Sequence, residues 1–220
     1  MDKKRLKAPD HKLFDDAYEL SYKIAAEKIV GLTDIEEQCR RSGAKYQVTD
    51  STKSILISYL NCDYRITLPE VTVSLTDSPQ EIPIREKLLI LHYFLTAKGT
   101  PLADRLITFR ELPEGVVYNP TFLQRTVKPI MDNFTEEPDL LFEAARSMGG
   151  QPADYGDVAV TINAFSHVPI TIILWQGDDE LAPQINVVFD ATISDYLYTE
   201  DIVVLCETIT WKMIRYVRRA

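Results

Sequence analysis

The side chains of this 220-residue chain best suited to chemistry are three imidazoles and one run of carboxylates. An imidazole in an apolar pocket with aromatic neighbours is a standard axial ligand for a haem-like centre. His92 lies beside the apolar positions of "KLLILHYFLTAK", and His167 stands just before "VPITIILW". Tyr93, Phe94, Phe165 and Trp175 are their sequence neighbours, and Tyr196 and Tyr198 follow later in the chain. The cofactor-binding set expected on this basis is His92, His167, Tyr93, Phe165, Trp175 and Tyr196, around a small molecule or a tetrapyrrole such as haem or a corrinoid. The plainer alternative is a half-buried, hydrogen-bonded histidine and a rim of core aromatics.

The carboxylates Asp178, Asp179 and Glu180 fill a short loop between two apolar segments, with Asp190 at the end of the second. Hard cations take oxygen ligands, so Asp178, Asp179, Glu180 and Asp190 form the alternative expectation, a divalent-cation site that would serve a metal-assisted enzyme. Between Arg146 and Lys212 the chain has no Lys or Arg and ten acids, so the local potential is strongly negative. A structural reading competes with this one. Gly177 followed by Asp178 is ordinary turn chemistry, and Glu200 and Asp201 open a helix where carboxylates complement its positive end.

The usual catalytic signatures are missing: there is no P-loop, G-x-G-x-x-G, G-x-S-x-G or H-E-x-x-H. Whether any reaction is catalysed is therefore open. A net charge of −9, from 24 basic and 33 acidic residues, argues against nucleic acid as a partner and leaves an acidic face for a basic protein partner. No apolar run reaches the roughly 18 to 20 residues of a membrane span. Cys39, Cys62 and Cys206 are odd in number and widely spaced, which supports neither a disulfide framework nor a cysteine metal site. The expected location is the cytoplasm, with all three thiols reduced.

The elements that must position these groups follow from periodicity. Phe14, Ala17, Leu20, Ile24 and Ala25 trace one face of a helix that ends at Gly31. "TDIE" from Thr33 reads as a capping box, with Glu36 reaching back, for a helix that ends near Gly43. Residues 45–75 read as four short strands with connections too short for crossover helices, hence an antiparallel meander. A helix from Pro83 to about Gly99 carries the stripe Ile84, Leu88, Leu91 and Leu95. "LITFREL" reads as a strand. "NPTFLQRTVKPIMDNF" reads as a helix capped by Asn119 and bent at Pro129, and "PDLLFEAARSMGG" as a second short helix. Three strands near 157–163, 168–175 and 185–190 precede a long helix from Thr199 with Ile202, Leu205, Cys206, Ile209, Met213 and Val217 on one face. The expected fold class is α+β, a mostly antiparallel sheet (meander plus C-terminal hairpin) packed with about six helices. The expected organisation is a basic N-terminal tail over 1–13, a single domain over 14–215 and a basic C-terminal tail over 216–220.

Several segments carry a resemblance: "FREL" at 109–112, "MGG" at 148–150, "GDVAV" at 156–160, "VPITIILWQGDDEL" at 168–181 and "VFDATISDYLYTEDIVVL" at 188–205. Together they resemble the uncharacterised family catalogued as domain of unknown function 3786, over roughly residues 14 to 215. The resemblance implies a setting in anaerobic bacteria and archaea, where some relatives carry an iron–sulfur domain like that of corrinoid-linked carbon metabolism proteins. This chain has no clustered cysteines and departs from those relatives. The resemblance supplies no catalytic residues.

Overall fold

In the computed structural model, which describes residues 11–50, 52–178 and 180–218, the period-two pattern of the first half folds as a four-stranded antiparallel meander. Its strands are β1 (Lys45–Thr49), β2 (Thr52–Tyr59), β3 (Cys62–Leu68) and β4 (Thr72–Leu75). Register places Ile55 opposite Ile66 and Ile57 opposite Tyr64, so the β-branched and aromatic side chains share the buried face. A second sheet has the order β5-β9-β8-β7-β6, from β5 (Leu106–Thr108), β6 (Gln151–Pro152), β7 (Val158–Phe165), β8 (Val168–Trp175) and β9 (Gln184–Asp190). The two sheets are joined where the Leu60 amide, at the β2–β3 turn, donates to the Ala164 carbonyl at 2.9 Å.

Helices α1 (His11–Val30), α2 (Ile35–Ser42), α3 (Ile84–Thr96), α4 (Gly115–Phe122), α5 (Lys128–Phe134), α6 (Asp139–Arg146) and α7 (Thr199–Val217) complete the α+β architecture. The run from α4 through the π turn Leu123–Val127 into α5 is continuous, which leaves six helical bodies among the described residues. One hydrophobic cluster joins both sheets to α1, α3 and α7. α3 is its centre: Leu88 and Leu91 of the expected stripe are buried, and so are Leu89, Ile90, Tyr93 and Phe94. The reason is that α3 has neighbours on several sides, α1, α2 and α7 among them.

Several local expectations are corrected. The buried side of α1 is Ala25 and Ile29 with Tyr18 and Tyr22, whereas Leu20 is 61% and Ile24 46% exposed. The Phe14 side chain lies outside the described residues. The cap of α2 is Asp34, not Thr33: its side chain accepts from the Glu37 amide at 2.8 Å, and the Glu37 carboxylate pairs forward with Arg40 and Arg41 instead of reaching back. The strand of "LITFREL" is only three residues, because Phe109–Glu111 turn into a 3-10 helix closed by Glu111 on Thr108. α4 begins at Gly115, four residues before Asn119, so Pro120 sits inside it and leaves the Val116 carbonyl without its helical donor. The bend expected at Pro129 is the π turn just before it, where the Lys128 amide reaches the Leu123 carbonyl.

The helical ends overlap the expected tails: α1 starts at His11, and α7 runs to Val217, which packs on the core. Residues 1–10, Ser51, Asp179, Arg219 and Ala220 lie outside the described residues. Among the described residues no helix is long and apolar enough to cross a membrane. Cys39 and Cys206 are buried and Cys62 is exposed, all three free.

Candidate functional site

The C-terminal end of α3 is held by polar contacts from three directions. Gln38 of α2 is buried and its Nε2 donates to the Phe94 carbonyl at 2.6 Å and the Ala97 carbonyl at 3.0 Å, satisfying helix-end acceptors that have no intrahelical donor. The Tyr93 hydroxyl donates to the Ser42 carbonyl at 2.8 Å. The Thr96 hydroxyl donates to the carbonyls of His92 and Tyr196. These contacts fix the turn that carries His92.

Opposite that turn, residues 97–105 are clamped to residues 190–196. Asp190 is 4% exposed, and its Oδ1 accepts from the Ala103 amide at 3.0 Å, the Thr192 amide at 3.0 Å and the Thr192 hydroxyl at 2.7 Å. Burial alone would raise the Asp190 carboxyl, but these hydrogen bonds to the charged form prevail and hold it below its ordinary value. Asp195 accepts from Lys98 Nζ at 2.7 Å and the Thr100 hydroxyl at 2.9 Å, and the Lys98 contact is the main reason its carboxyl is also lowered. The Tyr196 hydroxyl donates to the Thr100 carbonyl. α7 then starts at Thr199, whose hydroxyl donates to the Pro113 carbonyl at 2.6 Å. That start puts Asp201, in the first turn of α7, against His92 of α3.

His92 Nδ1 lies 2.9 Å from Asp201 Oδ1 and 3.0 Å from Oδ2. A carboxylate only accepts, so Nδ1 is the donor of this bond, and in the neutral ring Nε2 carries the lone pair. Among the described residues Nε2 has no hydrogen-bond partner in the protein. His92 borders a cleft of about 570 Å³, within the usual size of small-molecule sites. One wall is Ser21, Ile24, Ala25 and Lys28 of α1; the others are Leu95 and Thr96 of α3 and Ser194, Leu197 and Tyr198. Tyr198 meets the His92 ring edge-on at 6.3 Å between centroids. It also borders a second cleft of about 390 Å³ with Glu114 and Glu200, and thus stands between the two.

The other expected ligand residues fall elsewhere. Tyr93, Phe165 and Tyr196 are fully buried and stacked: Tyr93 on Phe165 at 3.9 Å and on Tyr196 at 6.0 Å. His167 closes that stack at 5.1 Å from Tyr196. Their faces therefore cover one another, a core arrangement, and of the expected six only His92 borders the 570 Å³ cleft. Gly43 explains the tight seat of His167. It has φ +68°, and an added Cβ would lie 2.7 Å from Ser166 Cβ and 3.5 Å from His167 Nε2. Trp175 is at the far end of β8, beside Gly156.

The acidic loop is built as a turn. Asp178 Oδ1 accepts from the amides of Glu180 at 2.9 Å and Leu181 at 2.7 Å, and the Asp178 amide donates to the Leu181 carbonyl at 2.9 Å. Those amide bonds hold its carboxyl below the ordinary value. Glu180 is exposed and Asp179 lies outside the described residues. Asp190 is at the other end of β9, six residue steps or about 20 Å from the loop side, so the structure does not bring it to Asp178. Among the described residues no group of three or more metal-ligating side chains comes together.

Sequence reasoning passed over Asp201 as a partner of His92 and missed Lys28, Leu32, Lys98 and Leu197 as cleft residues. The pair is separated by 109 positions, and no spacing or period marks such a contact. The one trace is Ile24, an apolar residue of α1 that is left 46% exposed at the cleft.

The profile of the family described as Domain of unknown function (DUF3786) matches residues 34–211. Neither the curated proteins nor the solved structures contain a match to this chain.

Proposed function

The chain belongs to the DUF3786 family, whose description names no activity, and we propose that it is a cytoplasmic binding or accessory protein. In this reading it holds a small molecule of tetrapyrrole type, haem or corrinoid, in the cleft between α1, α3 and residues 194–198. The observation that carries the reading is the His92–Asp201 pair at the edge of that cleft. A histidine that ligates a metal centre commonly donates its second ring N–H to a carboxylate, which fixes the tautomer and raises the basicity of the ligating nitrogen. Asp201 accepts from Nδ1 in this way, and Nε2 is the atom that would hold a metal centre. Tyr198 supplies an aromatic edge beside it, in place of the stacked core aromatics. Three free cysteines fit a reducing compartment, which supports the cytoplasmic part of the reading.

Visible titration with haem and with cobalamin tests this. Imidazole-ligated bands are expected with the full chain, lost in His92→Ala and retained in His167→Ala. No spectral change with either compound would refute the tetrapyrrole reading, and equal loss in both variants would refute the assignment to His92.

A further inference from the structure

Within a strongly acidic chain, the 570 Å³ cleft is lined by no acid among the described residues. Its lysines are Lys28 and Lys98. This runs against the composition, with 33 acidic and 24 basic residues, and against the adjoining cleft, which has Glu114 and Glu200. Lys98 Nζ gives one of its donors to Asp195 at 2.7 Å and has others to spare. Lys28 has no ion-pair partner among the described residues. Asp201 is hydrogen-bonded to His92 Nδ1 and is not among the lining residues. The unpaired charge among the lining side chains is therefore the Lys28 ammonium, beside the apolar side chains of Ile24, Ala25, Leu32, Leu95 and Leu197.

The apolar wall has the same asymmetry. Ile24 stays 46% exposed on a helix that buries Ala25 and Ile29. A ligand that covers Ile24 and Leu95 removes apolar surface from water, while Ser21 and Ser194 offer hydroxyls at the rim. An apolar cation would gain the first contact and be repelled by Lys28. A neutral apolar molecule would gain it and leave the lysine unpaired. An apolar body carrying a carboxylate satisfies both.

We propose that the ligand of this cleft is an organic carboxylate, with its apolar body along Ile24, Leu32, Leu95 and Leu197 and its carboxylate at Lys28, assisted by Lys98. The inference rests on the cleft being the binding site, as proposed above, and adds the charge and shape of what it takes. A tetrapyrrole with carboxylate side arms and a simple apolar acid share this chemistry.

The test is a titration of the full chain with octanoate, octanol and octylamine, followed by the amide resonances of Ile24, Lys28 and Leu95. Octanoate is expected to bind most tightly. Lys28→Glu, at an exposed position that leaves the fold intact, is expected to weaken octanoate about five- to tenfold and to leave octanol within about twofold. Equal binding of acid and alcohol, tighter binding of the amine, or no shift with octanoate would each overturn the carboxylate assignment. The spectral titration with haem then separates the two ideas: haem bound through His92 without octanoate binding leaves the cleft as a site and removes the acid from it. Comparing haem with its dimethyl ester distinguishes the sources, because a tetrapyrrole held by its side arms loses affinity on esterification.

Discussion

Removing Asp201 is the perturbation whose cost can be worked most directly. Asp201→Ala deletes the acceptor of a hydrogen bond to His92 Nδ1 at 2.9 to 3.0 Å. A hydrogen bond with a charged partner contributes about 1.5–3 kcal/mol net. The side chains are 26% and 13% exposed, so water replaces part of what is lost, and the low end of that range, about 1.5–2 kcal/mol, applies here. Asp201 also complements the positive end of α7, which adds roughly 0.5 kcal/mol. The single variant should therefore lose about 2 kcal/mol in urea unfolding, with an unchanged denaturant slope. His92→Ala should lose a similar amount through the same bond and its ring contacts. Since the bond can be lost only once, the double variant should lose less than the sum, with a coupling of about 1–1.5 kcal/mol. Strict additivity, a coupling under about 0.3 kcal/mol, would refute the claim that the pair is a formed unit at the cleft.

Two further outcomes follow from charges and thiols. Asp190 should contribute stability that is complete above the ordinary carboxyl value of 3.8 and is lost as pH falls through its lower folded value, because the unfolded chain takes the proton first. Asp190→Ala should cost about 2–3 kcal/mol near neutral pH by leaving the Ala103 and Thr192 donors without their acceptor, and acid unfolding monitored by circular dichroism should lose that component; an unchanged acid midpoint contradicts it. Native thiol titration should label Cys62 quickly, while Cys39, pushed up to about 11 by burial, and Cys206, raised further by complete burial, react only on unfolding. Three fast thiols would contradict the packing of α2 and α7.

The fold class was legible because it depends on periodicity and punctuation. The four-strand meander, the strands near 157–190 and the face of α7 follow from alternation, Gly and Pro positions and helical spacing, and each is found within a residue or two. Local capping was less legible: Thr33 and Asp34 are both good caps, and which one the chain uses depends on where α2 meets the core. The face of α1 was misread because Ile24 and Leu20 have helical spacing but lie at a cleft and in water. The candidate site was only partly legible. An isolated histidine such as His92 can be noticed in a sequence, but its partner Asp201 comes from a helix start more than 100 positions away, brought there by the clamp between residues 97–105 and 190–196. Conversely, three adjacent acids attract notice in a sequence, yet a turn needs only one of them, Asp178, to bond its own backbone.

The proposed role of His92 requires its proton on Nδ1 and Nε2 facing a ligand in the cleft. A two-dimensional spectrum of ¹⁵N-histidine-labelled protein, tuned to the ring nitrogens and recorded at mildly alkaline pH with and without haem, tests it directly. A protonated Nδ1 and an unprotonated Nε2 are expected for His92, with the Nε2 resonance most strongly displaced or broadened when haem is added, and His167 little changed. A His92 ring protonated at Nε2, or a haem response confined to His167, would contradict it.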